Sequence, residues 1–264
     1  EDFASKVEKL YIVEELDPVI EEQVKSWGIK ATGKEIFTVQ GEYSANMLRE
    51  AILGEELKLD APAAAPGRPP ILCPGCPHRS VYYVLNKLKM HAAGDIGCYT
   101  LGNAMPLDMV DTCLCMGAGL NIAQGVEKVE PDTTCFAFVG DSTFFASAIT
   151  GVVNAVYNQA NMVLVVLDNS TTAMTGHQPH PGTGRTVMGE IVQKINIEQV
   201  LRGIGVTEIE TINPLELEAS VSCVKRMAEK SGVRAIIFKA PCIAVTKPKA
   251  PLHVDQDSCI GWKK

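Results

Sequence analysis

No uninterrupted apolar run in this 264-residue chain reaches the roughly 18 residues that a bilayer-spanning helix needs, so no membrane segment is expected. A positively charged opening followed by an apolar core is missing as well, which argues against a secretory leader. Basic residues are not in excess: 24 Lys and Arg stand against 31 Asp and Glu, for a net charge of −7. That balance argues against a nucleic-acid or anionic-membrane footprint. The sequence has no internal repeat. Its Gly140-Asp141-Ser142-Thr143-Phe144 stretch lacks the G-x-S-x-G elbow, which excludes Ser142 as a hydrolase nucleophile.

What is present reads as a folded protein. Hydrophobic residues make up 46% and charged residues 21%, a balance that excludes disorder. The length exceeds one average domain and falls short of two large ones. Nine cysteines with no leader point to a reduced, cytoplasmic protein in which thiols serve a metal, a redox cluster or nothing, and not a disulfide framework. The chain opens at Glu1 without Met and closes on Gly261-Trp262-Lys263-Lys264, so a piece of a longer polypeptide is expected.

Lys9 to Glu15 carries β-branched and aromatic residues and predicts a strand. Asp17-Pro18 predicts a helix start, with Asp17 as N-cap, and Trp27-Gly28 its end. A second helix is expected from Ser44 to Leu53. Residues 61–70 hold four prolines and no periodicity, which is a linker. Beyond it, helix patterns at 80–90, 117–129, 142–158, 197–201 and 214–230 alternate with apolar runs at 134–139, 162–167 and 234–238. Runs that are apolar on both faces and separated by helices are buried parallel strands. Strands alternating with helices give an α/β fold with a doubly wound, mostly parallel sheet, and in such sheets ligands bind beyond the carboxyl ends of the strands.

Two strand ends carry the chemistry. One apolar run ends in Gly140-Asp141-Ser142 and another in Asp168-Asn169-Ser170-Thr171-Thr172-Ala173-Met174-Thr175-Gly176. Asp141 and Asn169 are one β-α-β crossover apart, so both can face one crevice. A carboxylate, an amide oxygen and a backbone carbonyl form a hard-oxygen site suited to Mg2+. Amides at the start of the helix after Gly140 can hold a phosphate, and the two features together suit a diphosphate.

This pair of elements resembles the signature of thiamine-diphosphate enzymes. The resemblance implies that Asp141, Asn169 and the carbonyl of Thr171 hold the Mg2+ that anchors the diphosphate, with Ser142 in place of the usual second glycine. Cys73-Pro74-Gly75-Cys76-Pro77-His78-Arg79 and Gly94-Asp95-Ile96-Gly97-Cys98-Tyr99 resemble elements of the 2-oxoacid:ferredoxin oxidoreductases. With the loop Met174-Thr175-Gly176-His177-Gln178-Pro179-His180-Pro181-Gly182, the likeness is to alpha subunits of the indolepyruvate type and covers nearly the whole chain.

That family implies oxidative decarboxylation of aryl 2-oxoacids to acyl-coenzyme A, with ferredoxin as electron acceptor and a beta subunit as partner. It implies thiamine diphosphate, Mg2+ and a [4Fe–4S] cluster as cofactors. Cofactor contacts fall on Cys98, Tyr99, Gly140, Asp141, Ser142, Asn169, Thr171, Ala173, Met174 and Thr175, the cluster ligands on Cys73, Cys76, Cys98 and Cys242, and catalytic roles on His177 and Met174. Residues 1–60 would be the end of a preceding transketolase C-terminal-like domain and 71–245 the diphosphate-binding domain. Residues 246–264 would lead to a ferredoxin-like module, although Trp262 stands where a second cysteine after Cys259 is expected. The carboxylate that activates the aminopyrimidine would lie outside these residues, so the isolated piece is expected to be inactive.

Other readings stay open at this level. Zinc, a redox pair or free thiols compete for Cys73 and Cys76, and the only other close pair is Cys113-Leu114-Cys115. That pair could also supply the fourth cluster ligand in place of Cys242. Cys135 and Cys223 read as small core residues. His177 and His180 are either gating histidines or plain loop residues. A non-oxidative thiamine-dependent decarboxylase or synthase, and a non-catalytic cofactor-binding fragment, are the alternatives for the whole.

Overall fold

The computed structural model describes residues 2–55, 66–247 and 254–258. Linker residues Ala61 to Ala65, and His253, Cys259, Gly261 and Trp262 of the tail, lie outside the described residues. The chain divides into two compact units, Glu1–Gly67 and Arg68–Lys264.

In the first unit the expected helices are α1 (Val19–Ser26) and α2 (Ala45–Leu53). Ser44 caps α2 by accepting the Met47 N–H at 3.2 Å. Two expectations fail here. The strand over Lys9–Glu15 is reduced to a single bridge, Tyr11 with Thr32. Asp17 does not cap α1; Glu14 does so from outside, its carboxylate accepting the Ile20 and Glu21 N–H groups at 2.8 Å each. Glu15 likewise accepts the Tyr43 N–H at 2.7 Å. The two acids that closed the strand pattern are thus used as acceptors for other segments, and the strand stops short of them.

The second unit is one parallel sheet: β1 (His91–Ala93), β2 (Cys135–Gly140), β3 (Met162–Asp168), β4 (Glu208–Ile212) and β5 (Val233–Lys239), in the order β1-β2-β3-β5-β4. Helices cover both faces, so the doubly wound α/β expectation holds. Alternate strand residues explain the two layers of core. Ala137, Val139, Leu164 and Val166 pack with α4 (Ala118–Val129), α6 (Ile149–Tyr157) and α7 (Ile197–Ile204). Phe136, Phe138, Val163 and Val165 pack with α3 (Arg79–Leu88) and α8 (Leu217–Glu229). Among the described residues, no helix is long and apolar enough to cross a membrane.

The three apolar runs are the central strands, and both edge strands escaped the pattern. β1 is too short to show a period. β4 reads Glu-Ile-Glu-Thr-Ile, and its acids face α8, where Glu210 pairs with Arg226 at 2.5 Å and Glu208 with Lys230. A charged edge is a usual guard against pairing with another chain. The helix expected from Ser142 starts one residue earlier, at α5 (Asp141–Thr143), and widens into a π turn over Phe144–Ala148 before α6. Such a turn often marks a functional region; here it leaves Phe144 buried and stacks Phe145 on His180, with ring centroids 5.9 Å apart.

Cys135 and Cys223 are core residues as expected, and burial pushes the Cys223 thiol up to about 12. Arg234 is fully buried at the amino end of β5, where Nε donates to the Met227 carbonyl at 3.0 Å and Nη1 to the Gly232 carbonyl at 2.5 Å. It ties α8 to the sheet. Phe138 is fully buried and stacks on Tyr82, with centroids 5.1 Å apart. Phe138→Ala should therefore lower stability by about 3–5 kcal/mol in denaturant unfolding. A loss below about 1 kcal/mol would mean that the two layers repack freely.

Candidate active site

The carboxyl ends of β2 and β3 are neighbours in register, Gly140 opposite Leu167, so the residues that follow them meet. Asp141 is 2% exposed. Its Oδ1 accepts the Ser142 N–H at 2.9 Å and its Oδ2 the Ser170 N–H at 2.7 Å. Ser170 holds a left-handed backbone, φ +62°, and that strained turn aims its N–H at the carboxylate. Asn169 Oδ1 accepts the Thr171 N–H at 3.0 Å, and Thr172 Oγ1 bonds Ser142 Oγ at 2.8 Å.

A histidine completes the group. His180 is 8% exposed, and its Nδ1 accepts the Gly182 N–H at 3.2 Å. The proton therefore sits on Nε2, which donates to Asp141 Oδ2 at 3.1 Å. Burial pushes the Asp141 carboxyl above its ordinary value, against the pull of this hydrogen bond. His177 is exposed, with φ +65°, and does not line the cavity described next. Of the two loop histidines, the structure thus brings His180 to the carboxylate and leaves His177 outside.

One cavity joins these strand ends to the cysteines. Gly140, Asp141, Ser142, Asn169 and Thr171 line it, and so do Ala173, Met174 and Thr175. Cys73, Cys76, Cys98 and Cys242 line it too, whereas Cys113 and Cys115 are exposed elsewhere. Burial raises the Cys76 thiol, against the pull of the backbone N–H groups of His78 and Arg79 nearby, and Cys242 and Cys73 raise it further. Burial raises Cys98 as well, followed by Cys242, Cys73 and Cys76. Burial disfavours the thiolate at Cys76 and Cys98, which makes them poor isolated nucleophiles. Among the described residues, no three His, Cys, Asp or Glu side chains close on a single ion. The cysteines share a wall around open space and do not converge on one point.

The frame that holds this wall is hydrogen-bonded throughout. The Cys242 N–H donates to the Asn169 carbonyl at 2.8 Å, one step after Ala240 N–H donates to Asp168 at 3.0 Å. His78 is 5% exposed and its Nε2 lies 3.1 Å from the Phe238 carbonyl of β5. A carbonyl can only accept, so this nitrogen carries the proton and donates, and burial lowers the imidazole below its ordinary value. Tyr99 lines the cavity with its ring, but its hydroxyl turns inward, 3.1 Å from Asp95 Oδ2 and 3.0 Å from the Ile96 carbonyl. Asp95 is fully buried and also accepts the Gly117 N–H at 2.8 Å, which seats α4. The Tyr99 ring lies on Gly140: a Cβ there would sit 2.8 Å from Cε1, so only glycine fits. Sequence reasoning missed Thr172 and Asp95 as parts of this site. Only the repeated hydroxyls of Ser170-Thr171-Thr172 pointed to the first.

The residues fit a magnesium diphosphate. The donors are oxygens, one a carboxylate whose Oδ1 keeps a free lone pair, and such a set suits a hard cation.

The model of the family described as "Thiamine pyrophosphate enzyme, C-terminal TPP binding domain" matches residues 95–238. Indolepyruvate oxidoreductase subunit IorA of Archaeoglobus fulgidus is 40% identical over 265 residues, covering 92% of this chain and 42% of its own length. The subunit of the same name from Methanothermobacter thermautotrophicus is 37% identical, covering 98% of this chain and 46% of its own length. The chain thus spans less than half the length of these curated relatives. The 2-oxoglutarate:ferredoxin oxidoreductase of Magnetococcus marinus, solved with 2-oxoglutarate, coenzyme A and succinyl-CoA bound, superposes with a TM-score of 0.59. The match covers 68% of this chain and 67% of that chain, and at 20% identity it is a likeness of fold.

Proposed function

Because the chain belongs to the thiamine pyrophosphate enzymes, carrying their C-terminal TPP binding domain over residues 95–238, we propose that it serves the oxidative decarboxylation of an aryl 2-oxoacid. Asp141, Asn169 and the Thr171 carbonyl would hold Mg2+ and, through it, the diphosphate of the cofactor. When bound, thiamine diphosphate supplies the nucleophilic carbon and electron sink that decarboxylation of a 2-oxoacid requires. His180 orients the Asp141 carboxylate, and the mostly apolar wall, with Leu72, Leu101 and Leu167, keeps water from the reacting centre.

The observation that carries the oxidative reading is the company this site keeps. Four cysteines from three separate stretches line the same cavity as Asp141 and Asn169. Four cysteine thiolates are the ligand set that a [4Fe–4S] cluster takes. Such a cluster would be the one-electron exit toward ferredoxin, with coenzyme A taking the acyl group and a beta subunit completing the enzyme. A non-oxidative decarboxylase has no use for these thiols.

The test is ferredoxin reduction by the anaerobically assembled protein, as it occurs with its partner subunit. Indolepyruvate, coenzyme A, Mg2+ and thiamine diphosphate together should support turnover, and omitting thiamine diphosphate should abolish it. Reduction with pyruvate or 2-oxoglutarate but not with indolepyruvate would overturn the aryl assignment. Carbon dioxide release without reduced ferredoxin would favour the non-oxidative alternative.

A further inference from the structure

Cys135 and Cys223 fill the core, and Cys73, Cys76, Cys98 and Cys242 line the cavity. Among the described cysteines that leaves Cys113 and Cys115, both exposed and neither lining the cavity. Solvent-accessible thiols are the ones open to oxidation.

Their loop is pinned at both ends and slack between. Upstream, the Asp111 N–H donates to the Ala92 carbonyl at 3.0 Å and the Gly94 N–H to the Thr112 carbonyl at 2.8 Å, so Thr112 bridges Ala93 in parallel. Downstream, the Cys115 carbonyl accepts the Ala118 N–H at 3.0 Å, and Asp95 Oδ1 holds the Gly117 N–H at 2.8 Å. Between these pins, no backbone hydrogen bond among the described residues engages Cys113 or Leu114. Leu114 is 73% exposed, so packing does not hold the segment either. The chain leaves the Thr112 bridge with no helix or turn before Met116. In chain that runs on from a strand, residues two apart project to one face. Their Cα atoms are then at most about 6.6–7.2 Å apart, and a disulfide spans Cα separations of about 4.4–6.8 Å. Spacing, exposure and slack together let the two sulfurs meet with a small adjustment of this loop.

We propose that Cys113 and Cys115 are a redox site, a dithiol that closes reversibly to an intramolecular disulfide by exchange with a low-molecular-weight disulfide. One cysteine, as its thiolate, attacks a sulfur of the reagent: a mixed S–S bond forms, the reagent's own S–S bond breaks and one small thiol leaves. The second cysteine, also deprotonated, attacks the protein sulfur of that mixed bond and expels the other small thiol. The two cysteines lose two electrons and two protons, and the reagent takes both up as two thiols. An exposed bridge is of the readily reduced kind, so excess thiol reopens it. The site borders the cavity, whose lining includes the next residue, Met116, yet it uses none of the four cavity cysteines.

The experiment equilibrates the assembled protein, under anaerobic conditions, in buffers of rising glutathione disulfide to glutathione ratio. Thiols are then blocked with an alkylating reagent, and the digested protein is sequenced by mass spectrometry. In the oxidising buffers the peptide carrying Cys113 and Cys115 should lose the mass of two hydrogens and escape alkylation at both positions. Dithiothreitol should restore both sites to the reagent. Cys113→Ser and Cys115→Ser each lack the resolving thiol, so the cysteine that remains should retain glutathione as a mixed disulfide. Full alkylation of both wild-type positions in the most oxidising buffer overturns the inference. So does glutathione left on either wild-type position without closure, or a bridge from either to a third cysteine. If neither single variant takes up glutathione, exchange does not begin at this loop and the inference fails. The wild-type measurement decides by itself should a variant fail to fold.

Discussion

Replacing Asp141 with Ala removes Mg2+-dependent binding of thiamine diphosphate, with a loss of affinity of at least about 100-fold. The carboxylate is the only charged oxygen in the donor set, and it is 2% exposed, so water does not substitute for it cheaply. The substitution also strands two donors, the Ser142 N–H and Nε2 of His180, and leaves the Ser170 N–H with Asp168 Oδ1 alone. Each unsatisfied buried donor costs about 1–3 kcal/mol, so the variant should melt earlier and has to be titrated below its transition. Asn169→Ala should bind more weakly than the wild type but better than Asp141→Ala, because it removes a neutral oxygen. Calorimetry at saturating Mg2+ checks both. Unchanged binding by folded Asp141→Ala would remove this residue from the metal site.

Anaerobically prepared protein should carry four irons in this cavity, and Cys76→Ser or Cys242→Ser should lower that to three or fewer. The argument is positional: Cys73, Cys76, Cys98 and Cys242 share the cavity, whereas Cys113 and Cys115 are exposed outside its lining. Cys76 has the strongest case, since the backbone N–H groups of His78 and Arg79 lie where they favour a thiolate there. Iron analysis and electron paramagnetic resonance read the result. Cys115→Ser should keep all four irons; if it loses one while Cys242→Ser does not, the fourth ligand is misassigned. Protein that holds no iron under anaerobic conditions would remove the cluster.

Much of the second unit was legible because its central strands are buried on both faces and so carry continuous apolar runs. The chemistry was legible for a related reason: a parallel strand delivers whatever follows its last apolar residue to the same edge. Asp141 and Asn169 could be paired from spacing alone on that ground. The edge strands were not legible, since β4 takes its charges from pairing with α8 and β1 is three residues long. Helix α1 looked capped by Asp17, yet Glu14 reaches back from outside the local pattern to do it. His177 and His180 are equivalent in sequence, three residues apart in one Gly- and Pro-rich loop. Only the fold, by turning His177 into a left-handed, exposed position, separates them.

The hydrogen bond from the Cys242 N–H to the Asn169 carbonyl has a consequence for how such a site can diverge. Both partners are peptide groups, so the distance between the oxygen donors and the thiols is written into main chain. A substitution that changes what a side chain coordinates leaves that distance alone, and only proline at 242 deletes it. The apolar side chains of the wall carry no such duty. Exposed positions on it, such as Met174 and Ile243, can be exchanged to suit a different substrate without moving one reactive centre relative to the other. Range of substrate and separation of centres are thereby assigned to different atoms, the first free to drift and the second not.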